Sequence, residues 1–139
     1  MAENATPVNA SEPRDALTKA VEFLEAGAWQ QAHAVSVEVI RLSKSSWKPY
    51  AAALFGQLQR SSLSVQLNIA EGYTFGDSPT FTRHLGIAYG SAVETGELLR
   101  LAVEAEVKEE KLLKPLLQRT QETEHILLGL LKRRRRFKP

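Results

Sequence analysis

Glu71, His84, Glu94 and Glu97 are the residues of this chain best suited to chemistry. Carboxylates and an imidazole can pass protons near neutral pH, or hold a divalent metal, once a fold brings them together. They fall in two neighbouring stretches, "SVQLNIAEGY" at 64–73 and "FTRHLGIAYGSAVETGE" at 81–97. A carboxylate-bridged metal pair in a helical bundle needs Glu-x-x-His on each of two helices. The chain has that spacing once, at Glu122 and His125, where it reads as a solvated helix face. There is no cysteine, no G-x-S-x-G nucleophile turn and no G-x-x-x-x-G-K phosphate loop,. The expectation is therefore no catalytic residue, no metal and no cofactor.

The same side chains have a structural reading, which depends on the elements that carry them. Trp29, Ala32, Val35, Val39 and Leu42 recur at helical spacing and predict a first helix over about 28–44,. Gly27 should stop a shorter helix that begins near Arg14. Pro49 suits the first turn of a second helix, about 49–72, with Leu54, Leu58, Val65 and Ile69 as its inner stripe,. Asp77 or Ser78 can cap a third helix that starts at Pro79 and runs to about 105, with Phe81, Leu85, Ala88, Ala92, Leu99 and Val103 inside,. Gly86, Gly90 and Gly96 each cost about 1 kcal/mol in that helix, which points to close backbone approach. A joint near Glu106 leads to a fourth helix over about 108–135, which Pro115 should bend or delay. No useful length alternates like a strand. The fold class is all-α: an antiparallel, up-down-up-down four-helix bundle.

A turn centred near Gly76 sets Arg60 level with Glu94, Asn68 level with Arg83 and His84, and Glu71 level with Phe81. Arg60, Asn68, Glu71, Ser91 and Glu94 then form a structural polar core that holds the hairpin in register. Arg60 with Glu94 would be a bidentate pair, and Glu71 could favour the N-terminus of the third helix through its dipole.

Of 139 residues, 43% are hydrophobic and 24% charged, which fits one ordinary soluble domain,. The division expected is a mostly disordered tail at 1–22, the bundle at 23–132 and a basic tail at 133–139. The net charge of +2 is uneven: six of the 18 basic residues lie in "KRRRRFKP", which leaves 12 against 16 acidic ones elsewhere. Lys132, Arg133, Arg134, Arg135, Arg136 and Lys138 are thus the candidate contacts for the phosphates of RNA or DNA. Polar N-terminal residues, the absence of a membrane-length apolar run and the absence of cysteine favour a cytoplasmic protein away from membranes.

Residues 60–101 resemble a known family. "RSSLSVQLNIAEG" followed by "FTRHLGIAYGSAVET" is similar to the bacterial four-helix bundle proteins encoded within intervening sequences of 23S ribosomal RNA genes. That family includes the accessory variability determinant of diversity-generating retroelements. "AWQQA" at 28–32 and Leu128 to Leu131 extend the likeness to about 23–132. The resemblance implies a bundle that assembles as a ring, commonly a homopentamer, without enzymatic activity. It also implies an adaptor role, with nucleic acid and, in retroelement members, a reverse transcriptase as partners. The chain departs from the family pattern where Gln66 replaces a proline, where Tyr89 replaces a basic residue and where the loop "TFGDSPTF" carries Asp77 instead of positive charge.

Overall fold

A computed structural model describes residues 13–136, with side chains for 27–135. In order, the chain forms α1 (Pro13–Ser46), a single 3-10 turn (Pro49–Ala51), α2 (Ala52–Tyr73), α3 (Pro79–Glu104) and α4 (Glu110–Arg136). Each helix packs on two neighbours, and the diagonal pairs α1–α3 and α2–α4 do not meet. With connections this short, that pattern is the up-down-up-down four-helix bundle read from the periodicity.

The local chemistry of the ends follows the residues. Ser78 sits in extended conformation before Pro79, and its Oγ accepts the Phe81 N–H at 3.2 Å. One of the unpaired amides at the start of α3 is satisfied in this way. Gly76, at φ 64°, reverses the chain just before it. At the far end of α3, Glu106 takes the left-handed position with φ 55°, and the Val107 N–H reaches back to the Ala102 carbonyl at 3.0 Å. Glycine usually fills that role. Pro115 lies inside α4 and does not delay its start.

α1 is the main departure. It has 34 residues and runs straight through Gly27, so the expected stop does not occur. Glycine weakens a helix but keeps its backbone hydrogen bond; here a Cβ would rest 4.0 Å from Ile126 of α4 in ordinary contact. Residues 14–22, part of the stretch where a short helix is expected from Arg14, are helical and continuous with the rest of α1; residues 1–12 lie outside those described.

The core is divided. Ala28, Ala32, Val65, Ile69, Phe81, Leu85, Ala88, Ala92, Leu127, Leu130 and Leu131 form one apolar cluster. Val35, Val39, Ala51, Phe55, Leu58, Leu99, Ala102, Leu113 and Leu116 form another. A layer of buried hydroxyls, Ser36, Ser61, Ser62, Thr95, Thr120 and Thr123, lies between them. Each hydroxyl is satisfied locally or across the bundle: Ser36 donates to the Ser62 carbonyl at 3.1 Å and Thr95 to Ser61 Oγ at 2.8 Å. The cavity inside this layer, about 10 Å³, is bounded by Val35, Val65, Thr95 and Thr120 among others and has room for about one water. Trp29 is not in the core; it is 36% exposed and stacks on His33 with centroids 4.8 Å apart.

Two glycines mark close approach. At Gly72 a Cβ would stand 2.6 Å from the His84 Cβ and 3.2 Å from the Phe81 ring. At Gly96 it would stand 2.9 Å from Glu124 Oε2. Gly86 and Gly90 do not serve that purpose, since a side chain at Gly90 would meet nothing within 4 Å and one at Gly86 only the tip of Arg135, at 3.9 Å.

Candidate functional site

The end of the bundle where α2 turns into α3 carries most of the polar organisation. Asn68 Nδ2 donates to the Ser64 carbonyl at 2.9 Å and to Ser64 Oγ at 3.2 Å. Its Oδ1 is left facing His84 Nδ1 at 2.9 Å. An amide oxygen only accepts, so the His84 proton sits on Nδ1 and Nε2 is the acceptor, 3.5 Å from the Arg83 guanidinium,. Ser64 Oγ continues the chain to Ser91 Oγ at 2.7 Å. Asn68 and Ser91 thus lie in a half-buried seam that joins α2 to α3 by side-chain hydrogen bonds alone.

Arg60, Glu71 and Glu94 are not part of that seam. All three are exposed. Arg60 folds back along its own helix and donates to Gln57 Oε1 with both Nε and Nη2. The expected Arg60–Glu94 pair is absent because helix phase, not level, decides which residues meet. Ser61 and Thr95 occupy the buried positions at that height, and a residue one step along a helix points about 100° away. Glu71 fails for the same reason: the next residue, Gly72, faces α3, and the amide that Glu71 might have served is capped by Ser78.

The basic C-terminal segment divides into one structural residue and several free ones. Arg134 reaches back to the α2–α3 connection, with Nη2 2.6 Å from Asp77 Oδ1 and 3.3 Å from the Ser78 carbonyl, and Nε 2.8 Å from Thr82 Oγ1. Its guanidinium lies 4.4 Å from the centre of the Phe81 ring. Arg134, one of the candidate phosphate contacts, is bonded to these partners and ties α4 to the start of α3. Asp77, which departs from the family's basic loop, is what holds it. Lys132, Arg133 and Arg135 are exposed. No carboxylate among the described residues pairs with them. The Arg136 side chain and Lys138 lie outside the described residues.

Glu124 carries a feature the sequence did not flag. Its Oε2 is buried without a hydrogen-bond partner, against the bare backbone of Gly96. Burial pushes its carboxyl above the ordinary 4.5; Arg100 opposes this, Glu97 adds to it and His125 opposes it. Arg100 is meanwhile bonded to Glu97 at 2.8 Å. A raised folded-state value means that the native state binds more protons than the unfolded chain in the window above 4.5. Stability should therefore fall as pH rises through that window. Urea melts of the native chain and Glu124→Gln at several pH values check this; the variant should show the smaller fall. The signal available in the sequence was phase: Glu124 lies one turn from Thr120 and Leu127, both on the buried face.

Glu122 and His125 supply the one Glu-x-x-His spacing, read from the sequence as a solvated helix face. Glu122 and His125 are both exposed, and the described residues contain no group of three His, Asp or Glu side chains able to converge on an ion.

The order of the helices and the paired motifs 64–72 and 81–95 meet in one hairpin, and a family model for the 23S rRNA-intervening sequence protein matches residues 25–129. The chain belongs to the 23S rRNA-intervening sequence protein family. Among solved structures, this family member is similar to a protein of unknown function from the S23 ribosomal protein family of Bacteroides thetaiotaomicron VPI-5482. The two share 21% identity with a TM-score of 0.67, over 76% of this chain and 98% of the other; at that identity the likeness concerns the fold. No curated protein matches the sequence. For this intervening-sequence protein, Gly72 of the N-I-A-E-G motif has a physical role: it lets α2 close on His84 and Phe81 at the head of α3. No helix among the described residues is long and apolar enough to cross a membrane.

Proposed function

We propose that this intervening-sequence protein is a non-enzymatic, self-assembling bundle that binds RNA through the cationic end of α4. The observation that carries this reading is the division within Lys132–Arg135. Arg134 is spent on Asp77 and Phe81, while Lys132, Arg133 and Arg135 at the same helix end are exposed and pair with no carboxylate among the described residues. Charges held on a rigid helix suit a regularly spaced row of phosphates, and each neutralised phosphate adds to the salt dependence of binding.

An adaptor reading is favoured by a second observation. Leu63 and Leu67 on α2 and Ile87 on α3 are 38%, 58% and 41% exposed. They lie on the outer side of the α2–α3 pair, where a second copy or another protein could cover them. The homopentameric ring and the reverse-transcriptase partner implied by the family resemblance belong to this reading, and the cytoplasm is the compartment it assumes.

The test is binding of a labelled single-stranded RNA between 50 and 200 mM salt. Neutralising Lys132, Arg133 and Arg135 together as glutamines should lower the slope of log affinity against log salt by about 2, at about 0.7 per phosphate. Truncation after Leu131 is the poorer experiment, because it also removes the Arg134 strut. An unchanged slope would remove the RNA reading and leave the adaptor one. Light scattering on the same samples reports whether the bundle assembles.

A further inference from the structure

We infer that the α2–α3 turn is a stacking platform for an unpaired base, so that the ligand at this end of the bundle is single-stranded RNA rather than a duplex. The inference rests on the RNA-binding reading above and adds the form of RNA.

Phe75 sits in the turn and is 50% exposed. An aromatic side chain at a loop tip usually either folds into the core or is avoided, and Phe75 does neither. Its ring lies parallel to the His84 imidazole, with centroids 5.5 Å apart and planes 13° apart. His84 is itself only 7% exposed and is held at its edge by Asn68 Oδ1, 2.9 Å from Nδ1. The backbone beneath is fixed too, since the Phe75 N–H donates to the Gly72 carbonyl at 3.0 Å. One face of the Phe75 ring therefore lies toward a positioned imidazole, and half of the residue stays open to solvent. A flat, rigid, half-exposed ring is the surface on which bases stack, because every base has a π-face.

A cation lies beside the imidazole that stacks on the ring. Arg83, one residue before His84 on α3, is exposed and keeps its guanidinium 3.5 Å from His84 Nε2. Continuing around α3 in the same direction comes Gly86, whose Cβ position lies 3.9 Å from the Arg135 guanidinium. The order across this end is thus Phe75, Arg83, Arg135. A single strand can lay a base on the first and its phosphates along the other two. In a duplex the bases are paired and stacked inside, out of reach of the ring, and only the phosphate contacts remain.

The experiment uses the full chain, a labelled 12-nucleotide oligouridine and a blunt-ended RNA duplex without unpaired bases, read by fluorescence anisotropy. Phe75→Ala should weaken oligouridine binding by about 5- to 150-fold, the loss associated with one base–aromatic stack, and leave the duplex within about twofold. Phe75→Trp should retain oligouridine binding. Circular dichroism melts of both variants separate lost contact from lost fold. Equal weakening for both RNAs, or no weakening for either, overturns the platform. So does a polyglutamate peptide that competes as well as oligouridine, since it would show a surface for polyanions in general. If the native chain binds neither RNA, the RNA reading itself fails; if it binds both with a steep salt slope and Phe75→Ala changes nothing, only the platform fails.

Discussion

Replacing Phe81 by alanine should remove about 3–5 kcal/mol of stability, the range for deleting a large buried aromatic side chain. Phe81 is 1% exposed and belongs to the apolar cluster nearest the α2–α3 turn. Its backbone N–H is the one that Ser78 caps. Its ring lies under Arg134 and borders Gly72. The substitution therefore empties a core site, removes the ring beneath an Arg134 side chain that is only 16% exposed, and loosens the contact between α2 and α3. The comparison is Phe75→Ala, the same chemical change six residues earlier on an exposed ring, which should cost less than about 1.5 kcal/mol. Urea unfolding at one protein concentration measures both. Equal losses would mean that Phe81 does not join α2, α3 and α4 as described.

The second large effect concerns glycine. Gly72→Ala should destabilise the bundle by about 1–3 kcal/mol, the usual cost of overpacking. The added carbon would stand 2.6 Å from the His84 Cβ, an atom close to the backbone that cannot swing away as a side-chain tip can. α2 would have to move off α3, stretching the Asn68–His84 bond. Gly90→Ala, made on an exposed face of α3 with nothing within 4 Å, should instead raise stability by up to about 1 kcal/mol through helix propensity. Thermal melts that shift in opposite directions for two identical substitutions would support the assignment; a Gly72→Ala chain that melts at or above the native temperature would sink it.

Much of this end of the bundle was legible before any coordinates. Ser78 and Pro79 announce the start of α3 through cap chemistry. The level of Asn68 with His84 follows from the length of the turn. The failures were of another kind. Arg60 and Glu94 stand at the expected height, but the single step of about 100° that turns Ser61 and Thr95 inward in their place cannot be read from spacing in a helix with small polar residues on several faces. The basic run looked uniform, whereas Arg134 has partners 52 and 57 residues away. Glu124 resembled any surface glutamate until Gly96, on another helix, made room for it.

By itself, then, the sequence determined the order of the four bundle helices, the antiparallel path and the apolar stripes, because these depend on local periodicity, caps and short connections within a few residues. Only the tertiary structure decided which polar side chains are bonded, which arginine is spent and which aromatic rings stay in water. Those outcomes depend on the rotation of one helix against another, where a single residue step turns a side chain by about 100° from core to solvent.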